Sequence, residues 1–345
     1  PKRYILMYTK ISNKNRISII VLLLALSLLA MLLSLRIGSA PISVGDLMSM
    51  MIGRGNSSAP LLQDILLEVR MPRILLSFLV GLALGASGTV MQSLLQNPLA
   101  SSYTLGVSSG ASLGASTVML FGINFMSPSI SMSLAGFAFG LVTVVIVLLF
   151  AQQFSQALEN QTIILVGMVF SLFVNSFLTL MMTFSPDYMQ RIIFWQLGSF
   201  SGASWENVQL LALLFTFSFF CLIYFHREMD ILSFGDAFAL SQGVEVKRTK
   251  VILIGLSTLL TGASVAMTGV IGFVDLIAPH VARRLFGATH KWVLPSSALV
   301  GGLLCVLADT VARSVFQSRE LPIGAVTALI GAPFFCYIFF RKGQV

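Results

Sequence analysis

Charged residues are scarce in this sequence. Asp, Glu, Lys and Arg make up only 10% of the 345 residues, against roughly 25% in an ordinary soluble domain. Together with a hydrophobic content of 56%, this deficit excludes a typical soluble globular chain. Apolar runs long enough to cross a bilayer as helices, roughly 20 residues each, recur along the whole length. The composition therefore predicts an all-α, polytopic membrane protein in which residues 1–345 form a single transmembrane domain.

Residues that build disulfides, metal sites and nucleotide sites are also few. The three cysteines, Cys221, Cys305 and Cys336, lie singly inside apolar runs, where a free cysteine usually acts as a small buried hydrophobe. The three histidines lack metal-ligand spacing, and there is no HExxH motif. No GxxxxGK[ST] loop is present. We therefore expect no metal, no cofactor and no catalysis by this chain, and any ATP hydrolysis would belong to another subunit.

The basic residues indicate topology. The net charge of +8 could suggest nucleic-acid binding, but Lys and Arg cluster beside apolar runs. With the N-terminus inside, fourteen of the 21 basic residues fall on the cytoplasmic side. This bias predicts that both termini are cytoplasmic, with residues 1–16 as a cytoplasmic N-terminal segment.

The first apolar run is too long for a signal-peptide core and is interpreted as a retained helix. Ten spans are expected, at roughly 17–35, 74–95, 105–121, 130–150, 162–184, 208–225, 251–268, 270–283, 293–312 and 322–340.

Small residues are dense in two of these spans, GLALGASG (Gly81 to Gly88) and GVSSGASLGAS (Gly106 to Ser116). In lipid, small side chains let helix backbones approach closely, so these stretches are interpreted as helix packing faces. A coenzyme-binding loop is disfavoured because the GxGxxG order is absent.

The longest interior polar segment is HREMDILSFGDAFALSQGVEVKRTK, residues 226–250. It alternates apolar residues with acids and small residues, and Gly235 and Gly243 divide it into short helices. One interpretation is a solvated connector. The other is a docking surface whose apolar side chains enter a groove on a cytoplasmic partner.

Several arginines, among them Arg70, Arg73, Arg313 and Arg319, flank spans on the opposite side. They could snorkel to the interface. They could equally receive carboxylates of an extracytoplasmic partner, because guanidinium binds carboxylate in a bidentate manner.

Four ordered motifs carry a resemblance to a known family. They are MPRILLSFLVGLALGASGTVMQSLLQNPLASSYTLGVSSGASLGA from Met71, GVIGFVDLIAPHVARRLFGATHKWVLP from Gly269, LADTVAR from Leu307 and ELPIGAVTALIGAPFF from Glu320. These stretches resemble the FecCD family, the membrane subunits of ATP-binding-cassette (ABC) importers for ferric siderophores, haem and cobalamin. The similarity covers nearly all of the chain after residue 17.

The resemblance implies a ten-helix permease with the fold of the cobalamin importer, located in the cell membrane of a bacterium. It implies pairing with a second permease subunit, identical or paralogous. Two cytoplasmic ABC ATPase subunits and an extracytoplasmic substrate-binding protein would complete the complex, with no role for nucleic acid.

The resemblance also implies roles for particular residues. Arg70, Arg73 and Arg313 match arginines that meet glutamates on the binding protein. The matching coupling residues are Phe234, Gly235, Ala237, Leu240, Gly243 and Val244. The turn Leu158, Glu159, Asn160, Gln161 and Thr162 corresponds to the cytoplasmic gate.

The stretch from Gly272 to Gly287 matches the family pattern FVGLxxPHxxR. Pro279 interrupts the backbone ladder, His280 would cap freed carbonyls or pair with a neighbour rather than relay protons, and Arg283 and Arg284 would anchor the cytoplasmic end. Asp275 stands where glycine is usual. If buried, its carboxyl group should be neutral or paired.

The resemblance favours a transport subunit that carries a ferric siderophore, with haem and cobalamin as alternatives. An ion-coupled secondary transporter and a membrane scaffold are the alternatives from other classes. The transport pathway should be lined by apolar and small polar side chains, and polarity suggests Met91, Gln92, Asn97, Ser171 and Asn175.

Overall fold

The computed structural model describes residues 12–37, 63–123, 128–316 and 320–342. Within these ranges the secondary structure is helical, with no strand. In chain order the α-helices are α1 (Asn13–Arg36), α2 (Met71–Leu94), α3 (Val107–Phe121), α4 (Pro128–Phe154), α5 (Asn160–Phe184), α6 (Pro186–Gln196), α7 (Trp205–Tyr224), α8 (His226–Leu232), α9 (Asp236–Ser241), α10 (Val246–Thr268), α11 (Val274–Phe286), α12 (His290–Ser314) and α13 (Ile323–Lys342). A π-helical segment, Ile65–Arg70, precedes α2, and a 3-10 helix, Ser102–Leu105, precedes α3.

Each of the ten expected spans falls on a helix. In the described ranges, seven helices are long and apolar enough to cross a membrane, and α3 and the Ile323–Tyr337 part of α13 are shorter apolar helices. The eighth expected span, 270–283, corresponds to α11, which has 13 residues and begins at Val274. Most of residues 1–16 and Arg319 lie outside the described residues.

Helix α6 was not expected from the sequence. Its eleven residues, PDYMQRIIFWQ, mix polar and apolar side chains and do not form a long apolar run. Pro186 stands at the first helical position, where its fixed φ favours helix initiation and its missing N–H costs no hydrogen bond.

Helix α2 forms the centre of the bundle. Nearly every side chain from Pro72 to Leu94 is buried, and α2 packs against α10, α11 and α12. The outer helices α1, α4, α5 and α7 instead expose many large apolar side chains, such as Leu22, Leu172 and Phe220. This arrangement is expected for a chain surrounded by lipid: the central helix is buried on all sides, and the outer helices direct apolar side chains outward.

The two small-residue stretches are packing faces, as predicted. A Cβ on Gly81 would overlap the carbonyl group of Gly301, and one on Gly85 would overlap that of Ser297. Gly114 lies equally close to Ala135. Glycine is required at these crossings because the backbones of α2 and α12, and of α3 and α4, are in direct contact.

Candidate functional site

The segment between α7 and α10 folds into two short helices with one buried face and one exposed apolar face. Met229 and Leu232 of α8 and Ala239 of α9 are buried in the core. On the opposite face, Phe234 is 77% exposed, Leu240 is 63% exposed and Phe238 is 46% exposed. We call Phe234, Phe238 and Leu240 the apolar ridge. The segment is anchored to the core on one side and exposes large apolar side chains on the other. Such a cluster of exposed apolar side chains is unusual for a simple connector.

Two glycines allow the turns around α9. Gly235, at φ +113°, separates α8 from α9, and Gly243, at φ +81°, separates α9 from α10. These conformations are costly for residues with a Cβ. Among the residues that the sequence assigned to coupling, Ala237 and Gly243 are exposed, whereas Val244 is partly buried against the core.

A chain of polar contacts fixes α8 to the bundle. Asp230 of α8 accepts a hydrogen bond from the backbone N–H of His290 at 2.8 Å, and its carboxylate lies 2.5 Å from the His290 Nδ1. The Nε2 of the same ring lies 2.5 Å from the Ser93 Oγ of α2. Ser93 also accepts a hydrogen bond from Arg283 of α11 at 3.1 Å. Through these contacts α8 is connected to α12, α2 and α11.

The proposed gate turn contains one backbone conformation that is rare for its residue type. Leu158 has φ +54° and a fully buried side chain. Glu159 and Gln161 are exposed, while Asn160 and Thr162 are partly buried. The carbonyl oxygen of Leu158 and the side-chain oxygen of Asn160 both accept hydrogen bonds from Lys250, at 3.0 and 2.7 Å. The same ammonium group forms a 2.6 Å ion pair with Asp236 of α9.

The three arginines assigned to docking converge near the start of α2, but they are only 5–8% exposed. Arg70 donates to the carbonyl of Leu35 at 2.7 Å, and Arg313 donates to Ser34. Arg73 forms ion pairs with Asp309 at 2.8 Å and with Glu320 at 2.7 Å. Their charges are therefore engaged within the chain, and docking to a binding protein stays a prediction.

The residues suggested for the pathway fall in two groups. Met91 and Gln92 are buried inside α2, and Gln92 accepts a hydrogen bond from Arg283. Asn97 and Ser171 are partly exposed, and Asn175 is exposed on α5. A pathway at an interface with a second subunit could reach only the second group directly, so the lining prediction depends on Asn97, Ser171 and Asn175.

The stretch around α11 combines buried polar groups with aromatic contacts. Asp275 is 1% exposed and accepts a hydrogen bond from Ser101, so it is buried and paired with a hydroxyl group. The His280 ring packs edge-on against Phe334, with centroids 5.8 Å apart. Among the described residues, no group of three or more His, Cys, Asp or Glu is placed to hold a metal ion.

Sequence analysis missed several residues of this site. The sequence patterns predict no partner for Lys250, His290 or Asp309. Each has a partner far away in sequence, between 60 residues for His290 and Asp230 and 236 residues for Arg73 and Asp309. Their charge within or beside apolar runs was the only available signal, since a buried charge needs a partner.

Comparison with known proteins gives consistent matches over most of the chain. The FecCD transport family matches residues 23–341. The chain is 34% identical to the Fe(3+)-citrate import system permease protein of Bacillus subtilis, over 94% of this chain and 96% of that protein. It is 34% identical to the vitamin B12 import system permease protein of Escherichia coli, covering 96% and 98%. The hemin transport system permease protein of Yersinia pestis is 33% identical, covering 92% and 95%.

A solved structure matches the fold. It is an inward-facing conformation of an ABC transporter described as metal-chelate type, with a TM-score of 0.83 and 31% sequence identity, covering 94% of this chain and 99% of that one. The family match over residues 23–341 is consistent with the structure, in which the described residues are helical and the glycine-rich helix α2 lies at the centre. The chain therefore belongs to the FecCD family of ABC-transporter permeases.

Proposed function

We propose that this chain imports a ferric siderophore. It would form the translocation pathway with a second permease subunit, receive its substrate from an extracytoplasmic binding protein, and be driven by two ATPase subunits on the cytoplasmic side. The chain would act as a conduit, because transport changes no covalent bond of the cargo.

The apolar ridge is the structural observation that carries the proposal. Phe238 and Leu240 are exposed on α9, and Phe234 is exposed in the turn between α8 and α9. The other face of these helices is anchored by Asp230 and by buried Met229, Leu232 and Ala239. Lipid is a poor explanation for this exposure, because the same short segment contains Glu228, Asp230 and Asp236. An apolar groove on a cytoplasmic ATPase fits a short amphipathic helix of this kind.

The class of cargo is supported by the relatives. Their names refer to Fe(3+)-citrate, hemin and vitamin B12, which are all metal complexes of organic ligands. Haem and cobalamin are thus the alternative cargoes within the proposal. The ferric siderophore is preferred because, like Fe(3+)-citrate, it holds ferric iron through oxygen ligands.

An ion-coupled secondary transporter is less consistent with the buried acids. Among the described residues, Asp309 is fully buried and bound to Arg73, and Asp275 is bound to Ser101. A proton or ion pathway would need several ionisable groups that can change state at membrane depth. The pairing of Asp309 with arginine argues for a fixed structural role.

Uptake by cells with and without this chain tests the proposal. The probes are an iron-labelled hydroxamate siderophore, an iron-labelled catecholate siderophore, labelled ferric citrate, haem and cobalamin. Loss of uptake of one ferric siderophore class is expected when the chain is removed, and its re-expression should restore uptake. Loss of haem or cobalamin uptake alone would overturn the substrate. Transport by the purified chain in an ion gradient, without ATPase subunits, would overturn the importer mechanism.

A further inference from the structure

Lys250 is a fully buried lysine near the start of α10. Its ammonium group contacts three acceptors at 2.6–3.0 Å: the carboxylate of Asp236, the amide oxygen of Asn160 and the carbonyl oxygen of Leu158. An ammonium group has three N–H donors, so these three contacts use all of them. A buried charge is tolerated in this way, with a counter-charge and complete hydrogen bonding.

The three acceptors belong to two parts of the molecule that are remote in sequence. Asp236 lies in the first turn of α9, directly between Gly235 and Ala237, two of the residues assigned to coupling. Leu158 and Asn160 lie in the turn between α4 and α5, about 90 residues from Lys250. One side chain therefore joins the helix that carries part of the apolar ridge to the turn assigned to the gate.

Lys250 also contacts the gate turn at its most unusual backbone position. Leu158 holds a left-handed conformation, with φ +54°, which a residue with a branched apolar side chain adopts only under constraint. Burial of the Leu158 side chain is one constraint, and the hydrogen bond from Lys250 to its carbonyl oxygen is a second. Loss of the ammonium contact would release the turn at its most strained residue.

The contact is equally important for α9. In the described structure, one carboxylate oxygen of Asp236 bonds to Lys250, while the other is buried without a hydrogen-bond partner. Lys250 is thus the only charge recorded in an ion pair with Asp236 among the described residues. Movement of α9 away from Lys250 would leave the ammonium group buried without its counter-charge, so the two groups should move together.

We propose that Lys250 is the positioning residue that couples movement of α9 to the gate turn. The inference rests on the proposed function, in which α9 contacts the ATPase and residues 158–162 form the gate. A rigid ammonium contact makes the two elements one mechanical unit, so that displacement of α9 by the ATPase displaces Leu158 and Asn160.

The test measures the gate turn directly and needs no transport substrate. In the purified permease–ATPase complex, Cys221, Cys305 and Cys336 are replaced by alanine and Gln161→Cys provides one exposed thiol in the turn. The rate of its reaction with a water-soluble maleimide is compared without nucleotide and after trapping with ATP and vanadate. ATP hydrolysis and co-purification of the ATPase are measured on the same samples.

Four further substitutions are compared in this background. Lys250→Met removes the charge, and Asp236→Asn removes the counter-charge with little change in shape. Asp236→Glu keeps the carboxylate and should preserve the effect of nucleotide. Lys291→Met removes an exposed basic residue at the start of α12 and is the matched control.

Trapping should change the thiol reaction rate by at least about fivefold in the parent, Asp236→Glu and Lys291→Met complexes, the lower end of typical coupling between sites. In Lys250→Met and Asp236→Asn the ATPase should remain bound and active, while the rate should no longer respond to nucleotide. A purely structural role would shift the rate without nucleotide but preserve its response.

A preserved response in Lys250→Met would overturn the inference and leave the proposed function intact. If Lys250→Met fails to assemble, Asp236→Asn decides by the same criterion. Failure of the parent chain to bind the ATPase would overturn the proposed function, and with it the role given to Lys250.

Discussion

Several buried charges in the described part of the chain form ion pairs, and some of these pairs join residues that are far apart in sequence. Arg73 reaches both Asp309 and Glu320, and Asp309 also lies 3.6 Å from Arg313. In a medium of low polarity, removing one member leaves the other without compensation. At the scale of single residues, these ion pairs specify which helices meet at the start of α2.

Asp309→Asn should therefore strongly destabilise the protein. The Asp309 side chain is fully buried, and its loss of charge leaves Arg73 and Arg313 undercompensated. A cost of about 3–5 kcal/mol in the free energy of unfolding is expected from broken buried pairs. Thermal unfolding in detergent measures it.

Glu320→Gln is the control for Asp309→Asn. The Glu320 side chain is 46% exposed and contacts the same arginine, so its removal should cost no more than about 1 kcal/mol. Equal losses in the two variants would contradict the distinction between the buried and the exposed partner of Arg73.

At the scale of helices, the sequence indicated the elements more accurately than their contacts. Long apolar runs placed all ten expected spans on helices, because burial in lipid requires both length and hydrophobicity. The run of small residues in α2 also predicted close packing. It could not show that the partner of Gly81 is Gly301, which lies 220 positions further along the chain. Helix α6 was missed because its mixed composition gives no apolar run.

The crossing of α2 and α12 gives a direct test of this packing. Gly81→Ala would place a methyl group into the carbonyl group of Gly301, and overpacking of this kind costs about 1–3 kcal/mol. The thermal midpoint of the purified protein should fall accordingly.

Gly255→Ala provides the matched control on another membrane helix. A Cβ at Gly255 of α10 meets no atom within 4 Å. This substitution should leave stability unchanged or raise it by up to about 1 kcal/mol, because alanine favours the helix more than glycine does. A comparable loss in both variants would show that the small residues of α2 matter for another reason.

At the scale of the whole molecule, the two ends of α2 have different surfaces. The end near α8 and α9 presents the apolar ridge, and the other end contains arginines that are already paired within the chain. From the sequence, the family resemblance predicts a role for each of these two regions. It could not show that Val244 is partly buried or that Arg73 is buried, since burial depends on contacts made by the folded chain.

The apolar ridge should be required for ATPase binding. Phe238→Asp combined with Leu240→Asp places two carboxylates on exposed positions of α9 and should release the ATPase during purification of the complex, while the fold is maintained. Phe238→Leu with Leu240→Met keeps the surface apolar and should retain the ATPase. Retention by the Asp variant, measured by the ratio of subunits after size-exclusion chromatography, would remove the ridge from the interface.

The buried arginines change how docking of a binding protein should be tested. Charge reversal at Arg313 would place a carboxylate next to Asp309, so lost uptake would report misfolding as readily as lost docking. Glu320 offers a better test, because its carboxylate occupies Arg73 from a partly exposed position. If Arg73 also receives a carboxylate from the binding protein, Glu320 competes for the same guanidinium group.

Glu320→Gln should then strengthen docking. Removal of the competing charge leaves the fold held by Asp309, and an increase in affinity of about tenfold, equivalent to about 1.4 kcal/mol, is a reasonable expectation for one charged contact. Surface plasmon resonance with the complex in nanodiscs measures the Kd, and the gain should shrink at high salt because exposed charges are screened. Arg36→Gln, which removes an exposed charge at the end of α1, is a control for general electrostatic effects. An unchanged Kd in Glu320→Gln would exclude Arg73 from the docking surface and confine its role to the ion pairs that hold α2 against α12.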